Sequence, residues 1–220
     1  MSLTIGFVLF PNLTQLDFTG PLQVMHRTPG ATTHILAKTR DPVPSDCGLG
    51  LVPTGIFAEA PQLDLICVPG GLSVVEAMQD EETVRFVARQ AEHARWVTSV
   101  CTGAFVLGSA GVLRGKRATT HWAFTDLLPL VGATHEPGRI VRDGKVITAG
   151  GVTSGIDFGL SVVAEVAGPE VAQTIQLGIE YDPAPPFQSG HPSRAPAAVK
   201  ATADARYAKA RETYRAALGG

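Results

Sequence analysis

Trp96-Val97-Thr98-Ser99-Val100-Cys101-Thr102-Gly103-Ala104-Phe105-Val106-Leu107-Gly108-Ser109-Ala110 decides the fold. Its first five residues read as a short buried strand. The residues after Cys101 read as a helix of small and apolar side chains, so the hydrophobic pattern changes abruptly at the cysteine. A thiol on a tight strand-to-helix turn is held clear of the sheet and points at the positive end of the following helix. That setting predicts a thiolate, the nucleophilic form. A serine on the same kind of turn makes the nucleophile elbow of many hydrolases.

The alternation continues on both sides of this stretch. Strands are predicted at Leu3 to Phe10, Thr33 to Lys38, Leu49 to Pro53 and Leu63 to Val68, with short ones at Arg117 to Thr120, Thr134 to Pro137, Ile140 to Arg142 and Val146 to Ala149. Asp143-Gly144 supplies a hairpin turn between the last two. Helices are predicted at Leu16 to His26, Glu81 to Ala94, Ser154 to Ala167 and Glu170 to Ile179. The third of these is apolar nearly all round and is expected to be buried. Apolar strands alternating with helices imply an α/β fold with a mostly parallel sheet covered on both faces. In such sheets the ligand lies beyond the carboxyl ends of the strands. Asp17, Gly70-Gly71, Cys101 and Gly150-Gly151 all fall at such ends, on one rim.

The bulk properties narrow the classes. The chain has 220 residues, 45% hydrophobic and 17% charged, enough for one core without staples. A net charge of −2 and an aromatic content of 6% argue against a nucleic-acid or membrane-surface partner. No apolar run reaches membrane-spanning length, and the N-terminus reads as a strand and not as a signal peptide. Cys47, Cys67 and Cys101 are an odd set without a CxxC spacing, which fits neither a disulfide framework nor a structural zinc site. A cytoplasmic protein is expected. The composition divides the chain into an α/β domain over 1–182 and a tail over 183–220. The tail holds a Pro-rich segment and a helix from Lys200 to Leu218 whose Tyr207, Ala210, Tyr214 and Ala217 recur at helical spacing. It is expected to pack on its own body or on a second subunit.

Cys101 is the candidate nucleophile. Cys67 lies inside an apolar strand and reads as core, and Cys47 reads as a surface thiol. Asp17 either caps the first helix or folds over beside Cys101, where a carboxyl resists ionising and shares a proton with the thiol. Gly70 and Gly71 make a tight turn whose N–H groups can meet a developing negative charge. Thr102 offers a hydroxyl and an N–H to a substrate. His121 is the best-placed histidine for a base, and Asp157 is read as support for a loop or helix end. Leu72–Met78 and Trp122–Phe124 are candidate pocket walls. Gly70-Gly71-Leu72-Ser73 lacks the P-loop signature and no GxGxxG follows the first strand, so no nucleotide cofactor is expected.

Several segments together resemble the ThiJ/PfpI superfamily of class I glutamine amidotransferase-like domains. They are Phe10-Pro11 with Asp17-Phe18-Thr19-Gly20-Pro21, Asp64-Leu65-Ile66-Cys67-Val68-Pro69-Gly70-Gly71, Ser99-Val100-Cys101-Thr102-Gly103-Ala104-Phe105, Ala118-Thr119-Thr120-His121-Trp122, and Thr148-Ala149-Gly150-Gly151 with Ser154-Gly155-Ile156-Asp157. The resemblance implies a flavodoxin-like three-layer sandwich, a cysteine on an elbow and a homodimer. Many members have a histidine directly after the cysteine, whereas this chain has Thr102. Asp17, Cys101 and Thr102 resemble the pattern of the superfamily's isonitrile hydratases. This implies water addition to a small-molecule isonitrile through a Cys101 thioimidate, with Asp17 as general acid and base and no metal or organic cofactor. Gly70, Gly71, His121 and Ile156 are then the substrate- and oxyanion-binding candidates. Two alternatives are glyoxalase- or deglycase-like chemistry on α-oxoaldehydes, with His121 as proton shuttle, and a redox-sensing Cys101. AraC-type regulators carry a similar domain with an added helix-turn-helix region, for which the tail after Glu180 is too short.

Overall fold

A computed structural model describes residues 2–219. Seven strands form the central sheet: β1 (Leu3–Val8), β2 (Ala31–Ala37), β3 (Gly55–Ile56), β4 (Leu65–Val68), β5 (Trp96–Val100), β6 (Ile140–Asp143) and β7 (Val146–Ala149). Their order is β6-β7-β5-β4-β1-β2-β3. All neighbours are parallel except the β6–β7 hairpin at the edge. Every residue of β4 and β5 is buried, because helices cover both faces there and leave no room for polar alternation.

One helical layer contains α1 (Gln15–Met25), packed on α5 (Ser154–Ala167), which in turn packs on α6 (Pro169–Gly178). The other contains α2 (Val74–Gln79), α3 (Glu81–His93) and α4 (Gly103–Ser109). The result is the flavodoxin-like three-layer sandwich. From β1 the chain moves outward to β2 and β3, then returns to place β4 on β1's other side. This reversal opens a crevice at the carboxyl ends of β1 and β4. Asp17 follows β1, Gly70 follows β4, and Cys101 follows β5.

Four expectations change. Leu49–Pro53 is not a central strand: only Gly50–Leu51 is extended, antiparallel to Val43–Pro44 in a separate ribbon. Prolines 44 and 53 donate no N–H and Leu49 is exposed, so the segment has neither ladder nor core face. The sheet edge is Gly55–Ile56 instead. Residues Arg117–Ala118 and Thr134–His135 pair with each other outside the sheet. A 3-10 helix at Trp122–Val131 went unread because Pro129 interrupts its pattern. Helix α5 is buried on one face only; Ile156, Leu160, Ala164 and Ala167 are half-buried in the protomer.

The tail packs on its own body. A final helix, α7 (Ala197–Ala217), lies along the 3-10 segment and reaches α2. Tyr207 packs on His121, Trp122 and Phe124, and Tyr214 on Phe105 and Phe124. Arg211 hydrogen-bonds the Ala123 carbonyl and pairs with Asp126 at 2.7 Å.

Candidate active site

Cys101 sits on the predicted elbow with φ +55°, a left-handed conformation that costs a side-chain-bearing residue roughly 1–2 kcal/mol. The turn is pinned from both sides. The Cys101 N–H donates to the carbonyls of Ala149 and Gly150 at 3.1 and 2.8 Å, and Thr120 Oγ1 donates to the Cys101 carbonyl at 2.7 Å. Gly103 then begins α4 against the end of β4. A Cβ there would stand 2.6 Å from the Pro69 carbonyl oxygen, so only glycine allows this approach.

Asp17 does not cap α1; Thr14 holds that position and Asp17 lies in the first turn. Its carboxyl is fully buried. Oδ2 accepts from the Gly70 N–H at 2.9 Å, while Oδ1 has no hydrogen-bond partner. The Cys101 thiol is close enough to favour the carboxylate, although it does not reach hydrogen-bond geometry. Burial dominates and raises the Asp17 pKa to about 7, with the Gly70 N–H and then the thiol acting against it. The aspartate and the cysteine therefore face each other across the crevice.

Burial and the neighbouring carboxyl work against the expected thiolate. Burial first, and the Asp17 charge second, push the Cys101 thiol well above the usual thiol range. The backbone N–H groups of Val152 and Thr102 favour the thiolate without reversing this. A helix of only seven residues is a weak counterweight to desolvation beside a carboxylate.

Thr102 Oγ1 accepts from the Gly71 N–H at 3.2 Å. Both glycine N–H groups are therefore engaged, Gly70 with Asp17 and Gly71 with Thr102, and neither is a free oxyanion donor. That corrects the expectation for this pair. The donors aimed at the sulfur are those of Val152 and Thr102. Gly70 remains necessary for packing: a Cβ on it would lie 2.6–2.8 Å from the Thr102 N and Oγ1 and from Asp17 Oδ2.

His121 has a structural task. Its Nδ1 accepts from the Ala123 N–H at 3.3 Å and caps the 3-10 helix. Burial lowers its pKa to about 4, so it stays neutral. The ring is packed against Tyr207 and against Gly151, where a Cβ would lie 2.6 Å from it. Nδ1 is thus engaged in the cap, and Nε2 is the ring nitrogen left to the cleft that His121 lines. Ile156 sits in the first turn of α5 and faces Gly20 of α1, at the border of the site. Asp157 bonds Arg139 and the Tyr181 hydroxyl, which ties the loop over residues 150–153 in place. Cys67 is core, its pKa pushed up to about 12 by burial, and Cys47 is exposed.

A cleft of about 830 Å³ runs past this loop, lined by Thr120, His121, Trp122, Gly151, Val152 and Arg194 among others. Cys101 is not in its wall but is joined to it through Val152 and Thr120. Of the candidate walls, Trp122 lines this cleft. Ser73, Glu76 and Ala77 of the other candidate wall line a separate 600 Å³ cleft.

Comparison with known proteins places this arrangement. Residues 4–165 match the DJ-1/PfpI family. The chain belongs to the DJ-1/PfpI family. The isonitrile hydratase of Pseudomonas putida is 54% identical over 199 residues, covering 90% of this chain and 87% of that one. The crystal structure of a THiJ/PfpI family protein from Pseudomonas syringae superposes with a TM-score of 0.98 at 40% identity, covering 100% of this chain and 92% of the other. The HTH-type transcriptional regulator CdhR of Pseudomonas aeruginosa is 30% identical over 181 residues, covering 78% of this chain but 53% of the regulator.

Two residues of this DJ-1/PfpI site escaped the sequence reading. Val152 was hidden because it acts through its backbone, although the adjacent Gly150-Gly151 marked the rim. Tyr214 was noted only as part of a packing stripe, yet it is buried with its hydroxyl 3.5 Å from the Gly71 carbonyl. Among the described residues, no three His, Cys, Asp or Glu side chains gather as a metal site, and no helix is long and apolar enough to cross a membrane.

Proposed function

We infer that this chain is an isonitrile hydratase, converting R–N≡C and water to the formamide R–NH–CHO. The observation that carries the inference is the 54% identity, over most of both chains, to the isonitrile hydratase of Pseudomonas putida. The geometry supports it. Cys101 is only 6% exposed, and the linear N≡C end of an isonitrile is narrow enough to approach a sulfur so enclosed while R stays outside. Its terminal carbon must gain a proton and a nucleophile together, and Asp17 and Cys101 supply that couple.

The reactive state holds one proton between the pair. Asp17 takes the thiol proton and delivers it to the terminal carbon as the sulfur adds, giving the thioimidate R–N=CH–S–Cys101. Asp17, again a carboxylate, accepts a proton from water while the oxygen attacks that carbon. That proton passes to nitrogen. The C–S bond then breaks, the second water proton returns to sulfur, and the formamide leaves. The Val152 and Thr102 N–H groups stabilise charge on sulfur, and the Thr102 hydroxyl steadies the substrate nitrogen. No step calls on a cofactor.

The enzyme acts in this reading on a small molecule, as a cytoplasmic homodimer without nucleic-acid or membrane partners. Three unpaired cysteines favour a reducing compartment, and the half-buried apolar stripe on α5 favours a second copy. The α/β body over 1–182 carries the chemistry and the 183–220 tail supports it. The test is formamide production from cyclohexyl isonitrile by the wild type and by Cys101→Ala. We expect turnover in the first, none in the second at unchanged circular dichroism, and a mass adduct on Cys101 during turnover. Near-normal rates in Cys101→Ala would reject covalent catalysis.

A further inference from the structure

We propose that the C-terminal helix is part of the active site: Tyr214 is a positioning residue that aims the Thr102 hydroxyl at the reacting atoms. The proposal rests on the reading above, in which Thr102 steadies the substrate nitrogen. Helix α7 lies outside the α/β body, yet three contacts fix its position over the rim. Tyr207 packs on His121, Arg211 holds the Ala123 carbonyl and Asp126, and the Tyr214 ring is clamped edge-on to Phe105 at 5.2 Å and tilted on Phe124 at 4.8 Å. Only 3% of Tyr214 is exposed, so water does not satisfy its hydroxyl.

Two hydroxyls gather at one acceptor. The Gly71 carbonyl lies 3.5 Å from Thr102 Oγ1 and 3.5 Å from the Tyr214 hydroxyl. Thr102 already accepts from the Gly71 N–H, so its oxygen is held while its hydrogen is free to turn. A phenol that donates to the carbonyl turns a lone pair of its own to Thr102, so the Thr102 hydroxyl is fixed between the Gly71 N–H and the phenol and keeps its free lone pair for a proton on the substrate nitrogen. Without the phenol, the Thr102 hydroxyl loses that anchor, turns back to the Gly71 carbonyl and no longer holds its lone pair on the substrate. The phenol is suited to this task because it stays protonated. Burial first raises its pKa, the Thr102 hydroxyl opposes the rise, and the nearby carboxyls of Glu76 and Asp17 add to it.

Tyr214→Phe removes one oxygen and keeps the ring packing. It should lower kcat on cyclohexyl isonitrile about 10-fold, the scale of one redirected hydrogen bond, with KM and melting temperature near the wild type. Thr102→Val should lose at least as much. The double variant should lose no more than Thr102→Val alone, which a merely structural tyrosine would not produce. Tyr207→Phe on the same helix should keep full activity. The proposal is overturned by full kcat in Tyr214→Phe, by losses that multiply in the double variant, or by an equal loss in Tyr207→Phe. A wild type with no hydration activity would reject the proposed function instead. The Tyr214 role is then read from the pH profile of Cys101 alkylation by iodoacetamide, where Tyr214→Phe should shift the midpoint and an unshifted midpoint overturns it.

Discussion

A carboxyl placed for proton transfer carries a cost to folding, and Asp17 shows its sign. Its pKa is 3.8 as a free side chain and about 7 in the fold. Below about pH 4 it is protonated in both states and folding loses nothing. Between about pH 4 and 7 the unfolded chain has released this proton while the fold keeps it, so stability falls at ~1.4 kcal/mol per unit, by up to ~4 kcal/mol, and levels off above 7, where the fold holds a buried carboxylate. Asp17→Asn keeps the shape, can still accept from Gly70, and carries no charge. It should melt higher than the wild type at pH 8, melt with it near pH 4, and hydrate no isonitrile. Equal or lower melting at pH 8 would show that burial does not govern this carboxyl. The comparison also separates stability from activity, since the inactive protein is expected to be the tougher one.

At the scale of the element, the elbow works only because α4 begins so close to β4. A methyl on Gly103 would press on the backbone around Pro69, with no flexible side chain to yield. Gly103→Ala should cost about 1–3 kcal/mol in urea unfolding and displace Thr102 and Cys101. Hydration rates should therefore fall even where the variant is fully folded, whereas a folded Gly103→Ala with wild-type rates would mean the helix can shift without moving the site. This junction was legible in the sequence because a buried strand, a cysteine and a run of small residues follow one another without a break. Asp17 was legible for the same reason, standing just past a clear first strand. The thiol's protonation was not, since it depends on burial and on a carboxylate that the chain brings in from another element. Tyr214 was not either: its partner lies 143 residues away, and helical spacing reports a face without reporting what that face covers. Short edge pieces such as Gly55–Ile56 carry too few residues for a period to register.

For the whole molecule, α5 is the element with unfinished burial. Its sequence is apolar on almost every side, yet one protomer buries only the face bearing Phe158, Gly159, Val162 and Val163. Ile156, Leu160, Ala164 and Ala167 recur three to four residues apart and stay half-buried, so they form a stripe along the helix flank. An apolar stripe on a helix that packs on α1, beside the elbow's own support, is suited to self-association across a two-fold axis, where each copy covers the other's stripe. The wild type should sediment at twice the 23.1 kDa of one chain. Leu160→Arg places a charge in the middle of the stripe, and its long stem lets that charge reach water in the separated protomer but not between two copies. The variant should sediment as one chain while its circular dichroism stays that of the wild type. A wild type that sediments as a single chain, or a Leu160→Arg protein that remains paired, would remove α5 as the dimer face.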